Sequence, residues 1–500
     1  MYLLGFDIGS SSIKAALVDA ATGAVLGTAQ APDAEMEILA PKPGWAEQDP
    51  DDWWLQCKQA LAKLFRQTGA DASKVAAIGI SYQMHGLVTI DREGKPLRPA
   101  IIWCDSRAVA IGDAAFREIG EDYCLQHYLN GPGNFTASKL KWVRDEQPEL
   151  YKKIHRAMLP GDYIAYKLTS EALTTISGLS EGILWDFQSH SPASRLLEHY
   201  GIEAEKLAPL APSFGDQGRV SAEAAKETGL PTGIPVTYRA GDQPNNALSL
   251  NVLEPGELAA TAGTSGVIYG VIDRLAGDAQ NRVNSFAHVN HRQETPRIGV
   301  LLCINGTGIQ YRWLKQQVAA AGQDYPDLEQ AAATVQPGSE GLQMIPFGNG
   351  AERMLGNRQV GAHILNLDFN RHKQAHLYRA ALEGIAFSFA YGADILKSLG
   401  LNLSVLRVGN DNLFQSAIFA QTVAELLHCR IEVLRTTGAV GAAVASGVGI
   451  GVWDSPRAGL GALAQVCVYE PKEIGESLLG AQGAWNQALK SMVLGHGVIS

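Results

Sequence analysis

The sequence predicts an α/β protein in two domains that face each other across a cleft. Three observations support this. The chain has 500 residues, more than one core usually covers when domains hold roughly 100 to 200. Apolar, β-branched runs alternate with longer amphipathic stretches over the whole length, the pattern of sheets flanked by helices. Two segments half a chain apart, "LLGFDIGSSSIKAALVD" (3–19) and "ELAATAGTSGVIYGVID" (257–273), share one plan: an apolar strand, a hairpin of glycine and hydroxyl residues, a second apolar strand. Two such hairpins point to related domains, each offering a small-residue turn to a ligand between them. The boundary is placed between 247 and 248, giving domains 1–247 and 248–500.

Taken in order, "YLLGFD" and "KAALVD" read as the opening strands, with "VAAIGIS", "GLVTID" and "IPVTYRA" after them. "ELAATA", "VIYGVI", "IGVLLCI", "VLRVG" and "CRIEVL" supply the second half. Between them "DDWWLQCKQALAKLFRQTG" reads as a helix opened by aspartates and closed by Gly69, and "QAHLYRAALEGIAFSFAYGADILKSLG" as one closed by Gly400. "GAVGAAVASGVGIGVW" (438–453) is apolar, but it is glycine-rich and shorter than the roughly 20 strongly apolar residues of a membrane span, so it reads as a buried small-residue helix. "MYLLGFDIG" has no basic region and meets an acid at Asp7, which makes it a first strand rather than a signal peptide, and the expected setting is cytoplasmic.

Hydrophobic residues make up 46% and charged residues 18% of the chain, with 53 glycines, the composition of an ordinary α/β enzyme rather than a disordered chain. The net charge of −10, without Lys and Arg clusters among aromatics, argues against a nucleic-acid partner. Six cysteines lie scattered with no metal-ligand spacing, so neither a zinc site nor a disulfide framework is expected, and they read as reduced, mostly buried thiols.

Four motifs carry chemistry. "DIGSSSIK" offers backbone N–H groups and hydroxyls with no bulk in the way, which suits phosphate oxygens, and "AGTSG" repeats the offer from the other half. An ordinary hairpin gives the same letters. "AGDQPNN" (240–246) follows an apolar run, so Asp242 is either a turn residue bonding its own backbone or an acid at the carboxyl end of a parallel strand, where such sheets place their chemistry. "QMHG" and "GDQPNN" together offer amides, an imidazole and a carboxylate, the inventory for a neutral polyol or ketose.

In order, "DIGSSSIK", "QMHG", "IIWCDSR", "FTASKLKWV", "LPGDYIAYKLT", "AGDQPNNA" and "TAGTSG" resemble the FGGY family of carbohydrate kinases, nearly end to end. "GISYQMHG", "RPAIIWCDSRA" and "GWAEQDPDDWW" are most similar to its xylulokinase branch. The resemblance implies two ribonuclease H-like domains of the actin, Hsp70 and sugar kinase superfamily, with sugar bound by the first and ATP by the second. It implies ATP-dependent phosphorylation of a ketose, D-xylulose to D-xylulose 5-phosphate in the most similar branch. The alternatives are L-xylulose, ribulose or another polyol, or a non-catalytic sensor on the same fold.

By resemblance, Asp242 matches the catalytic base, and Met84, His85 and Gln243 match sugar ligands, with Trp103 and Asp105 in the neighbouring motif. For these last two, a core tryptophan and an ion pair of Asp105 with Arg107 remain equal readings. Ser11, Ser12 and Lys14 match the first phosphate loop, Gly263 and Thr264 the second. Gly308, Gly409 and Asn410 are carried over as further ATP contacts. Asp7 and Asp242 would face Mg²⁺, through water. A homodimer is expected on resemblance alone. Departures are Ser10 in place of Thr, Asn366 in place of Gly, and "GNDN" (409–412) where the adenosine-side loop is usually a glycine run. Asn and Asp are the residues that best tolerate the positive φ such a run allows.

Overall fold

The computed structural model describes residues 1–461 and 464–495. The first half is built on five strands: β1 (Tyr2–Ile8), β2 (Ile13–Asp19), β3 (Val25–Ala31), β4 (Val75–Tyr82) and β5 (Val236–Gly241), in the order β5-β4-β1-β2-β3. β1, β2 and β3 pair antiparallel, whereas β4 runs parallel to both β1 and β5. The second sheet comprises β6 (Glu257–Ala262), β7 (Gly266–Ile272), β8 (Asn284–Ala287), β9 (Ile298–Ile304), β10 (Val405–Gly409), β11 (Arg430–Arg435) and β12 (Ala464–Tyr469). Its order is β8-β9-β7-β6-β10-β11-β12.

Stripped of its edge strands β8 and β12, the second sheet repeats the first. The hairpin β6–β7 and β9 pair antiparallel, and β10 and β11 add in parallel beyond β6. The echo in sequence is an echo in topology. β4 is buried at seven of its eight positions, which is why it reads as a continuous apolar run rather than an alternating one.

Seven helices carry the argument: α1 (Pro50–Thr68), α2 (Thr136–Glu146), α3 (Ile176–Glu181), α4 (Asp242–Ser249), α5 (Gly308–Gln317), α6 (Gln374–Ser398) and α7 (Gly438–Gly449). α1 ends at Gly69 as expected, in the left-handed region with φ 65°. Its cap, however, is Asp49, with Pro50 beginning the helix and Asp51 and Asp52 in its first turn. Proline fixes the first helical φ, and the two acids there meet the positive end of the helix dipole. "GLVTID" gives only a short strand at Val88–Ile90, which pairs with Arg156–Met158 outside both large sheets. All three of its residues are buried, so burial rather than sheet membership accounts for its apolar character.

α7 is the small-residue helix, buried from Gly438 to Gly447. Although it lies late in the chain, it packs on β1 and β4 of the first sheet. A Cβ at Gly5 would fall 2.0 Å from the Ala439 carbonyl oxygen, and one at Gly79 would fall 1.9 Å from that of Ala442. Among the described residues no helix is long and apolar enough to cross a membrane. Cys57, Cys124 and Cys429 are buried thiols, but Cys104 and Cys303 are exposed, so the expectation of mostly buried cysteines holds for half of them. Cys303 is the penultimate residue of β9, paired with Val267, and Cys104 lies in the loop after Ile102.

Gly79→Ala drives a methyl into the backbone of α7 and should destabilise the fold by about 1–3 kcal/mol. Urea unfolding followed by circular dichroism reads this as a lower midpoint. An unchanged midpoint would mean that α7 does not sit on β4 at this distance.

Candidate active site

Three adjacent parallel strands bring their carboxyl ends together at one edge of the first sheet. β1 ends in Asp7 and Ile8, β4 leads into Gln83, Met84 and His85, and β5 leads into Asp242. Asp242 is thus the acid at a strand end and the first residue of α4, which answers the choice left open by its Gly-Asp setting. The first turn of α4 favours a negative charge there.

Asp7 lies opposite Lys14 across the β1–β2 hairpin and opposite Ser81 of β4. The Ser81 hydroxyl donates to Asp7 Oδ1 at 2.9 Å. Burial raises the Asp7 pKa, against the pull of Lys14 and the Ser81 bond. Asp242 is pushed up to about 7, first by burial, then by the charge of Asp7, with hydrogen bonds from Gln243 opposing the rise. Both carboxylates suffer from the same shortage of nearby positive charge.

In the turn between β1 and β2 the Gly9 N–H donates to the Ser12 carbonyl at 3.1 Å, and Gln48 Nε2 holds the Ser10 carbonyl at 2.7 Å. Ser11 and Lys14 are exposed and Ser12 half-buried, so the turn is open to solvent. Trp103 is 52% exposed, which removes the reading as core, and its indole N–H points to Ser10 Oγ at 3.4 Å.

Met84 is buried, and its Cγ lies 2.5 Å from where a Cβ on Gly241 would sit. His85 adopts a left-handed backbone with φ 62°. Its Nδ1 lies 2.9 Å from the Glu181 carbonyl oxygen. A carbonyl accepts only, so Nδ1 carries the proton and Nε2 is left as an acceptor. Burial and the nearby Lys139 charge lower the His85 pKa to about 3, so the ring is neutral at physiological pH. Phe135 meets that ring edge-on at 4.8 Å, and Phe286 of β8 reaches it from the second sheet at 5.3 Å. Lys139 of α2 donates to the His85 carbonyl at 2.8 Å and the Ile102 carbonyl at 3.0 Å, and burial lowers its pKa to about 7.

Asp105, for which a sugar contact and an ion pair with Arg107 stand as equal readings, is fully buried, against the sugar contact. Arg107 Nη2 donates to its Oδ2 at 2.6 Å, Arg107 Nε reaches both oxygens at 2.9 Å, and the Ala46 N–H takes Oδ2 at 2.6 Å. With its oxygens so engaged, the ion pair is its role, and it fixes the loop that presents Trp103.

In the second half, Gly263 and Thr264 form the β6–β7 turn. Thr307 Oγ1 and the Gly308 N–H both donate to the Gly263 carbonyl, at 3.0 and 2.9 Å. A Cβ at Gly308 would sit 2.3 Å from that oxygen, so α5 can start against the turn only as glycine. Glu352 accepts from the Asn305 and Gly306 N–H groups at 3.1 Å each, while burial raises its pKa to about 7.

Gly409 and Asn410 stand at the end of β10. None of residues 409 to 412 has a positive φ, so the tolerance for such angles expected of Asn and Asp is not used there. It is used at Asn366, whose φ is 60°. Sequence reasoning missed Lys139, Glu181 and Glu352: Lys139 stands within "FTASKLKWV" without a role of its own there, Glu181 and Glu352 belong to no motif, and their partners lie 37 to 96 residues away in the chain.

Residues 2–249 match the N-terminal domain, and residues 258–450 the C-terminal domain, of the FGGY family of carbohydrate kinases. The chain belongs to this family. It is 27% identical over 460 residues to a xylulose kinase of Bacillus subtilis, covering 91% of this chain and 89% of that protein. It is 28% identical over 449 residues to a probable L-xylulose kinase of Haemophilus influenzae, covering 89% of each. The crystal structure of a xylulose kinase from Rhodospirillum rubrum superposes with a TM-score of 0.88 at 26% identity, over 98% of this chain and 99% of that one. As a carbohydrate kinase, the chain takes ATP as phosphoryl donor.

An acid at about 7 in the free enzyme should appear as the ascending limb of kcat/KM measured at limiting sugar and limiting ATP. With Asp242 as base, activity is expected to fall below that value, where its carboxylate is protonated. Asp7→Asn removes the like charge and should move the limb to lower pH. A limb that stays in place would remove Asp7 from its causes.

Proposed function

We propose that this chain transfers the γ-phosphate of ATP to D-xylulose, giving D-xylulose 5-phosphate, with Asp242 as base. The observation that carries this reading is the position of Asp242, half-buried at a strand end beside Asp7 with a pKa of about 7, a value that matches proton abstraction near neutrality. The named relatives, aligned over nine-tenths of the chain, support the substrate.

In this mechanism residues 1–247 hold the sugar and residues 248–500 the nucleotide, while α7 ties the second part to the first sheet. Met84, the Nε2 of His85, Gln243 and Trp103 bind sugar hydroxyls. Ser11, Ser12 and Lys14 face Gly263, Thr264 and Gly308 across the phosphates, and Gly409 and Asn410 take the adenosine side. The sugar oxygen forms a bond to the γ-phosphorus as the bond to the ADP oxygen breaks, and the hydroxyl proton passes to Asp242. Closure of the two halves would keep water from competing as acceptor.

Asp7 and Asp242 suit Mg²⁺: two half-buried oxygen donors whose pKa values are raised despite Lys14 near Asp7, with the remaining positions left to phosphate and water. Among the described residues no group of three or more His, Cys, Asp or Glu is gathered for a metal, in keeping with an ion that arrives with the nucleotide. Bound there, the ion would neutralise charge on the phosphates. All six cysteines are free thiols, which supports a cytoplasmic setting.

A second reading, L-xylulose, is favoured by the Haemophilus influenzae relative. ADP release with MgATP, measured across D-xylulose, L-xylulose, D- and L-ribulose, glycerol and no sugar, separates the two. The highest kcat/KM is expected for D-xylulose. A preference for L-xylulose would reassign the substrate, and no stimulation by any sugar would overturn the kinase reading for these sugars.

Asp242→Asn keeps the size and the hydrogen-bonding reach of the side chain but not its basicity. Turnover should fall by about 10²–10⁴-fold while sugar affinity by calorimetry stays close to wild type. Near-normal turnover would show that another group takes the proton.

A further inference from the structure

Behind Met84 and Asp242 lies a carboxylate that the transfer itself does not use. Glu181, the last residue of α3, is 1% exposed, and neither of its side-chain oxygens has a hydrogen-bond partner. Burial raises its pKa, and the Asp242 charge adds to the rise. The Tyr82 hydroxyl, also without a full hydrogen bond, lies near it and opposes the rise. A buried acid in such surroundings is a poor stabiliser, and side chains of this kind are retained where position matters more than stability.

Its contacts say which position. The Glu181 main-chain carbonyl accepts from His85 Nδ1 at 2.9 Å, which fixes the tautomer and orientation of the ring. Its Oε2 and Met84 Cγ each lie 2.5 Å from where a Cβ on Gly241 would sit. One residue therefore touches both places: its main-chain carbonyl holds His85, and its side chain packs beside Met84 against Gly241, next to Asp242.

We propose that Glu181 is a positioning residue for phosphoryl transfer, a wedge that sets the spacing between the sugar-binding pair Met84–His85 and the Gly241–Asp242 strand end. The inference rests on the sugar-site reading above, though not on which sugar is phosphorylated. A small error in that spacing misaligns hydroxyl and base, and misplacement on the order of 1 Å can cost about a hundredfold in rate.

The test uses the full chain and whichever sugar of the panel wild type phosphorylates fastest, so failure of D-xylulose would overturn only the substrate assignment. Glu181→Ala removes the wedge: kcat/KM for the sugar should fall at least tenfold while KM for ATP stays within twofold. Glu181→Gln, equal in shape, should restore the sugar constant to within threefold of wild type. Wild-type sugar kinetics in Glu181→Ala, whatever its melting temperature, would overturn the proposal, as would sugar and ATP constants collapsing alike. A Gln variant as poor as Ala would also overturn it, because shape would then not be what matters. Should Glu181→Ala fail to fold, Gly241→Ala crowds the wedge from the other side, with the same tenfold loss expected and unchanged sugar kinetics overturning the idea.

Discussion

The close seating of α7 on the first sheet is the contact on which the site depends. Gly5 and Gly79 lack side chains where the backbone of α7 crosses β1 and β4, and α7 answers with Gly and Ala. Interiors are packed too tightly for either partner to grow without moving the other. The same helix begins at the site: a Cβ on Gly438 would stand 2.8 Å from Asp7 Oδ2 and 3.1 Å from Asn246 Oδ1, and Asn245 Nδ2 donates to the Gly438 carbonyl at 2.9 Å. Residues from β1, α4 and α7 are thereby locked into one unit. A late segment of the chain thus packs against the acid of the first strand, adding to the strand pairing that sets Asp7 and Asp242 in register.

Charge is the second constraint. Glu181 is buried and Asp7 and Asp242 half-buried, all three have raised pKa values, and Asp242 and Glu181 each feel another member of the group. The cations nearby do not balance them. Lys14 acts on Asp7 from the exposed side of the hairpin, and Lys139 spends its donors on two backbone carbonyls. Such an arrangement favours protons or a cation over an empty, fully ionised site. The neutral His85 follows from the same burial: a charged imidazole beside Lys139 would add repulsion, whereas a neutral one keeps an acceptor for a hydroxyl donor.

What was legible in the sequence was whatever local pattern fixes. The repeated hairpins, the glycine-rich helix and the acid after an apolar strand each show in a window of under twenty residues, because strand period, turn chemistry and helix composition are local properties. Asp105 was not legible in this way. Its motif offered a sugar contact and an ion pair on equal terms, and the choice fell to Ala46, 59 residues away, whose N–H completes the cage around Oδ2. Glu181 and Glu352 carry no motif, because their neighbours are set by how α3 and the 352 loop dock, not by their flanking residues.

The loop at 409–412, proposed above for the adenosine side, is ordered by side chains where the family's usual letters are glycines. A run of glycines leaves a loop free to take many angles, and that freedom must be surrendered when a ligand binds. Here Asn412 Oδ1 accepts from the Phe414 N–H at 3.1 Å, Gln415 Nε2 donates to the Asn410 carbonyl at 2.9 Å, and Asn412 Nδ2 donates to Asp411 Oδ1 at 3.0 Å. All four backbone φ angles from 409 to 412 avoid the left-handed region, so the side chains impose no strain while they order the turn. Asn and Asp therefore act in this loop through their short hydrogen-bonding side chains rather than through tolerance of unusual angles. The turn is ordered by its own residues before any nucleotide arrives, and less entropy is left to lose on binding than a glycine run would leave.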